Sequence, residues 1–146
     1  MGWFNVESIH TLDEISLDQW DLLCDGCGIC CLYKVNDEHT SSTYLTRVAC
    51  RYLDMEQCTC RLYAQRQTYM PTCVKITRKN VLELDWLPET CAYRRIAENK
   101  PLPWWHPLRG GRRGLVHELG ISVRHMAVAE KHADMNNLAR YITENW

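Results

Sequence analysis

No run of apolar residues approaches the roughly 20 that a membrane-spanning helix requires, which argues against a helical span. Neither sign of charge is in excess: 17 Lys and Arg against 18 Asp and Glu leave a formal net charge of −1. Nothing in the chain as a whole therefore draws it to nucleic acid or to anionic lipid. The opening Met1-Gly2-Trp3-Phe4-Asn5-Val6-Glu7-Ser8 lacks the basic and apolar regions of a secretory signal, and Val6 stands where myristoylation wants Ser or Thr. A cytoplasmic location is the expectation. Internal repeats and low-complexity tracts are absent, and no glycine-rich nucleotide fingerprint follows a strand. No base-plus-nucleophile or paired-carboxylate set names a reaction, so whether the chain is an enzyme stays open.

Cysteine is what the chain has in quantity: nine, four of them in Cys24-Asp25-Gly26-Cys27-Gly28-Ile29-Cys30-Cys31. An odd number of thiols in a chain with no export signal argues against a disulfide framework and for metal ligation or thiol chemistry. Thiolate suits zinc, copper(I) and iron–sulfur clusters. The C-x2-C spacing lets one turn present two sulfurs to one ion, and it occurs twice in overlap, as Cys24/Cys27 and Cys27/Cys30. A bacterial ferredoxin run would continue with three residues and Cys-Pro, whereas Cys31-Leu32 follows at once. Adjacent side chains diverge, so Cys30 and Cys31 point to two metals, one polynuclear cluster, or one ligand beside a supporting thiol. Eight thiols from Cys24 to Cys73 would complete two four-sulfur sites and leave Cys91 over, or would make one cluster with several structural thiols.

At 146 residues and 17.2 kDa the chain has the length of one ordinary domain. The fold expected is a small, irregular α+β domain, with short helices and β-hairpins organised around a cysteine metal centre. Its metal-binding core is expected at about 24–91, with a C-terminal extension at about 100–146 packed on it. Ser16 reads as an N-cap with Gln19 completing a capping box, and Ile15 and Trp20 as a hydrophobic staple. The short helix leads to the cysteine loop, where Gly26 and Gly28 give backbone freedom. Were that helix to continue, Cys24, Cys27 and Cys31 would share one face and Cys30 would not. Leu32–Val35 and Tyr44–Val48 read as strands of a hairpin, and Cys58 and Cys60 as one face of a strand. Thr77 reads as the cap of a helix running to about Leu84. Pro88 reads as the first turn of another helix carrying Cys91, Tyr93 and Ile96. Residues 100–114 should be irregular; Ile121, Val123, His125 and Ala127 alternate as a strand; Asp134–Asn145 reads as a helix with Leu138, Tyr141 and Ile142 inward.

A four-thiolate site carries a formal charge near −2, which Arg47, Arg51, Arg61, Arg66 and Lys75 could offset. Trp104-Trp105-His106-Pro107 reads first as an ordered loop over the core and second as an aromatic platform. His106 and His125 are further candidates for a metal or a proton. Arg109-Gly110-Gly111-Arg112-Arg113-Gly114 reads as a solvated loop rather than a phosphate grip.

Taken together, C-x2-C-x2-C-C, Cys50-Arg51-Tyr52-Leu53, Cys58-Thr59-Cys60-Arg61-Leu62-Tyr63, Arg66 and Pro71-Thr72-Cys73-Val74-Lys75 resemble the CxxCxxCC cysteine-cluster family, a zinc- or iron-chelating domain. Asp85-Trp86-Leu87-Pro88-Glu89-Thr90-Cys91-Ala92-Tyr93-Arg94, Leu102-Pro103-Trp104-Trp105-His106-Pro107-Leu108 and Ile121-Ser122-Val123-Arg124-His125 look like its YcgN-type bacterial branch. The resemblance implies metal chelation through Cys24, Cys27, Cys30, Cys31, Cys50, Cys58, Cys60 and Cys73, with Cys91 at a branch-specific position and His106 as a further candidate. Three functions fit: an iron–sulfur or other iron centre for electron transfer or redox sensing, a zinc-stabilised adaptor for a protein or nucleic acid, or a soft-metal carrier. The reading adopted is a cytoplasmic metal-binding protein, with an iron–sulfur centre ahead of zinc and a protein partner in view.

Overall fold

A computed structural model describes residues 15–70, 73–112 and 114–143. In chain order it contains α1 (Leu17–Asp21), β1 (Leu32–Asn36), β2 (Thr43–Ala49), β3 (Leu53–Asp54), β4 (Thr59–Cys60), α2 (Arg66–Tyr69), α3 (Ala92–Ala97), α4 (Leu115–Glu118) and β5 (Val128–Ala129). This is the mixed α+β class the sequence predicts. Among the described residues no helix is long and apolar enough to cross a membrane. Two compact units form, one from the chain up to Asp25 with Ile76–Ile121, the other from Gly26–Lys75 with the chain from Ser122 onward.

The first unit is held by an apolar cluster. Ser16 caps α1 as expected: its hydroxyl accepts from the Gln19 amide at 3.2 Å, and its own amide donates to Gln19 Oε1 at 2.9 Å. Ile15 and Trp20, on either side of the cap, are both buried in the cluster with Leu23, Tyr93 and Leu102. The Trp20 ring lies 4.6 Å from that of Tyr93, and its indole N–H donates to the Ile76 carbonyl at 3.1 Å. The helix expected from Thr77 to Leu84 does not form. The Asn80 side chain accepts from the Thr77 amide at 2.7 Å and the Thr77 hydroxyl accepts from the Asn80 amide at 3.2 Å. These side chains offer the backbone a local turn in place of a helix, and only Val81–Glu83 coils, as a single 3-10 turn. α3 begins later than predicted. Pro88 precedes it, its carbonyl accepting from the Cys91 amide at 3.0 Å, and Cys91 is the N-cap rather than a helical residue.

In the second unit the predicted hairpin forms with one more residue at several strand ends. β1 and β2 pair antiparallel through Lys34↔Leu45, Val35↔Tyr44 and Asn36↔Thr43, with an irregularity before Leu32↔Ala49. β5 lies parallel to the other edge of β2 through Val48↔Val128 and Ala49↔Ala129, and β3 pairs with β4 through Leu53↔Cys60 and Asp54↔Thr59. The strand expected from Ile121 to Ala127 is replaced by turns. The Val123 amide donates to the Cys27 carbonyl at 2.9 Å, and the Val123 carbonyl receives the amides of Met126 and Ala127, so extended backbone starts only at Val128. Beyond it, the predicted C-terminal helix is a 3-10 segment, Met135–Tyr141, broken at Asn137 by non-helical angles (φ −141°, ψ 54°). Asp134 caps it at the Asn136 amide, 3.1 Å away. Leu138, Tyr141 and Ile142 are half-buried, and Asn145 lies outside the described residues.

Gly28 is the tightest point of this unit. It has φ +78°, and a Cβ added there would stand 2.8 Å from Val123 Cγ2 and 3.1 Å from Cys58 Cβ. Both the backbone angle and the space demand glycine. Gly28→Ala should destabilise the fold by about 1–3 kcal/mol, combining the left-handed penalty with overpacking. Urea unfolding checks this, and an unchanged midpoint would remove Gly28 as a packing constraint.

Candidate metal centre

α1 stops at Asp21, so the cysteines that follow do not share a helical face. Gly26 and Gly28 take positive φ, and Gly28 caps a 3-10 turn, Ile29–Cys31, that runs directly into β1. That turn sets Cys30 beside Cys31, and the two thiols shift one another's pKa in opposite directions. The hydrogen bond received from the Cys31 thiol lowers Cys30 to about 7 against the opposing effect of burial, with the charges of Lys34 and Arg66 helping. Cys31 is pushed up, first as the donor of that bond, then by burial, then by negative charge on Cys30, Cys60 and Cys73. Deprotonation of the pair is thereby eased at Cys30 and opposed at Cys31.

Three more sulfurs belong to the same neighbourhood. Cys73 is raised mainly by burial, Arg66 opposing and Cys30 and Cys60 adding to it. Cys50, at the end of β2, is also raised mainly by burial, and it too feels Cys60. At the centre is Lys34 on β1. Its ammonium donates to the carbonyls of Cys30 at 2.8 Å and Leu32 at 2.9 Å. Burial lowers its pKa while Cys30, Cys31, Cys73 and Cys50 act to raise it. Cys30, Cys31, Cys50 and Cys73 thus act electrostatically on one lysine, and Cys60 joins the set through its effect on Cys31, Cys50 and Cys73. Among the described residues, however, no three Cys, His, Asp or Glu side chains stand grouped closely enough to hold an ion as placed.

The remaining cysteines sit differently. Cys58 does not share a strand face with Cys60. It has φ +57°, precedes β4 and is buried, because its amide closes a turn on the Asp54 carbonyl at 2.7 Å. Burial raises its pKa while the Ser122 hydroxyl and Arg124 lower it. Cys27 is half-buried beside this turn chain, its carbonyl taking the Val123 amide. Cys24 is exposed and belongs to the first unit, as does Cys91, which packs half-buried against that unit's apolar cluster.

His106 departs from the metal role considered for it. It is 1% exposed, its Nε2–H donates to the Leu23 carbonyl at 2.7 Å, and its Nδ1 accepts from the Leu108 amide at 3.0 Å. Both ring nitrogens are committed to backbone, so no lone pair remains for an ion. Trp104 and Trp105 pack edge to face in the ordered loop that precedes it, and His125 is exposed. Arg112 pairs with Glu118 at 2.5 Å and Arg109 donates to the Leu102 carbonyl, while Arg113 lies outside the described residues.

Of the cations named from sequence, Arg66 reaches Cys30 and Cys73, and Arg51 reaches Cys50. Arg47 is exposed. Lys34 was not singled out, although a lysine between Tyr33 and Val35 in an apolar strand is an anomaly the sequence displays. Tyr33 and Glu130 were missed as well. The Tyr33 hydroxyl donates to Glu130 Oε1, and Arg51 Nε meets Glu130 Oε2 at 2.9 Å, so one carboxylate ties β1 to the residues just past β2 and β5.

Comparison with known proteins gives this geometry a context. The family model described as "Putative zinc- or iron-chelating domain" and named CxxCxxCC matches residues 23–92. A UPF0260 protein of Klebsiella pneumoniae is 55% identical over 120 residues, 82% of this chain and 81% of the relative. One from Cronobacter sakazakii has the same identity and coverage, and the UPF0260 protein YcgN of Salmonella typhi is 53% identical over 82% of this chain and 78% of its own length. No solved structure matches.

Two outcomes follow from the hydrogen bonds. His106→Ala should cost about 2–4 kcal/mol, since it strands a buried carbonyl and leaves a cavity; denaturant unfolding reads this. Asp54 Oδ1 accepts from the amides of Glu56 and Gln57, both at 3.0 Å, and these bonds lower its pKa. Its contribution is present above the unfolded value of about 3.9 and is lost as pH falls through the lower folded value. Stability of Asp54→Asn should therefore vary less with pH below about 4 than that of the parent chain; parallel acid-unfolding curves would refute the assignment.

Proposed function

Because the chain belongs to the UPF0260 family and carries a zinc- or iron-chelating domain, we propose that Cys30, Cys31, Cys50, Cys60 and Cys73 form the heart of its thiolate centre. We read that centre as iron–sulfur, serving electron transfer or redox sensing with a protein partner in the cytoplasm. The observation that carries the reading is the mutual electrostatic influence of these five sulfurs, four of which act on Lys34. Five donors exceed the four of a closed tetrahedral zinc site, and vicinal cysteines suit a polynuclear centre better than one ion. The donor set also fits in charge. Lys34, fixed by two carbonyls, and Arg66 place positive charge where several thiolates would otherwise repel. Cys30 gives up its proton near neutrality, so its thiolate is a ready ligand. Bound there, an iron–sulfur group would supply one-electron transfer; the chain holds it, balances its charge and limits access of water.

A zinc-stapled adaptor is the second reading, favoured by the scarcity of regular structure between Cys50 and Cys73. Among its described residues that stretch has one two-residue strand pair, a single 3-10 turn and a four-residue helix, so metal ligation would supply folding free energy there.

Metal and acid-labile sulfide analysis with an absorbance spectrum, on protein purified without oxygen, separates the readings. Iron with sulfide and a visible chromophore is expected; zinc without sulfide transfers the argument to the adaptor, and no metal at all overturns both. Cys60→Ser should lose metal and stability together, while Cys91→Ser should retain full metal content. The motif's other thiols, Cys24, Cys27 and Cys58, define the rest of the ligand set by the same measurement.

A further inference from the structure

Beside Cys50, on the side of the unit formed by residues 50–61 and 129–131, lies a cavity of about 360 Å³. Its wall mixes apolar Leu53, Met55 and Ala129 with the charged side chains of Arg51, Arg61, Glu130 and Lys131. Glu130 is already engaged, taking the Tyr33 hydroxyl on one oxygen and Arg51 on the other. Among the described residues, neither Arg61 nor Lys131 forms a salt bridge. Asp54 feels the charge of Arg61 without pairing with it. Three cations against one carboxylate leave the lining at +2 before any charge on Cys50, and two of those cations, Arg61 and Lys131, have no salt-bridge partner among the described residues.

We propose that this cavity is a binding site for a small organic anion, a carboxylate or phosphate monoester on a short apolar body. Arg61 and Lys131 hold the anionic head by charge-assisted hydrogen bonds, and Leu53, Met55 and Ala129 take the body. Methionine adapts its shape to such a body. The volume lies at the lower end of small-molecule sites, enough for a short-chain anion and too little for a dinucleotide. The Arg51–Glu130–Tyr33 chain of contacts fixes one wall, so the site is formed before the ligand arrives. The inference rests on these side chains and holds whether the neighbouring centre carries iron or zinc.

Isothermal titration calorimetry on the full chain with its metal, using hexanoate, hexyl phosphate and hexanamide, tests it. Hexanoate or hexyl phosphate should bind saturably, tighter than about 1 mM, and hexanamide should not. The stronger of the two anions identifies the head group. Arg61→Ala/Lys131→Ala should weaken that binding at least about tenfold. Lys131→Glu alone should weaken it as well, which keeps the test in force if the double variant folds poorly. Lys79→Ala/Arg140→Ala, which removes the same charge from exposed positions outside the cavity, should leave it unchanged. Absence of saturable anion binding, equal binding of hexanamide, or undiminished binding in the cavity variants would each overturn the proposal.

Discussion

The ammonium of Lys34 and the sulfurs around it depend on one another. Taken out of water, a lysine charge is costly unless anionic or dipolar groups face it, and the backbone of β1 carries this one inward among Cys30, Cys31, Cys50 and Cys73. Two carbonyls, of Cys30 and Leu32, fix its position at the junction between the cysteine turn and the hairpin. A cluster of thiolates without such a cation would repel itself; burial alone lowers the pKa of the lysine, and the sulfurs oppose that. Each makes the other more tolerable.

The two units are stabilised by different physics. The first closes on aromatic and aliphatic packing, Trp20 on Tyr93 with Ile15 and Leu102, and a histidine there is spent wholly on backbone bonds. In the second, the hairpin and β5 form a small sheet, while the described part of the stretch from Cys50 to Cys73 is held by turns and two-residue strands. Apolar burial in that stretch is modest, so a centre bound by its cysteines would matter more to its order than any hydrogen bond there.

What the sequence made legible was whatever local chemistry decides. The Ser16–Gln19 box, the Ile15–Trp20 staple and the β1–β2 hairpin are short-range patterns, and they stand where the pattern puts them. Periodicity failed where side chains or distant segments took the backbone: Thr77 and Asn80 exchanged bonds instead of capping a helix, and Val123 was captured by the Cys27 carbonyl instead of entering a strand. The candidate site was legible as a set of cysteines but not in its grouping. That Cys60 acts electrostatically on Cys31 while Cys58 meets the Ser122 hydroxyl follows a left-handed residue at 58. Spacing cannot reveal that, because a non-glycine residue rarely takes such an angle.

Charge balance joins the centre to its surroundings. A four-thiolate centre of formal charge near −2, with Lys34 and Arg66 beside the sulfurs, would come close to neutral without drawing on more distant cations. Arg51 is occupied by Glu130, which in turn holds Tyr33. Arg61 and Lys131 form no salt bridge among the described residues, although Arg61 adds to the Gln57 and Glu56 amide bonds that lower the pKa of Asp54. Both are exposed, so water screens their mutual repulsion, and an anion entering the partly apolar cavity between them would meet positive charge from both. The same accounting that makes the thiolates tolerable thus leaves positive charge over at Cys50's outer side.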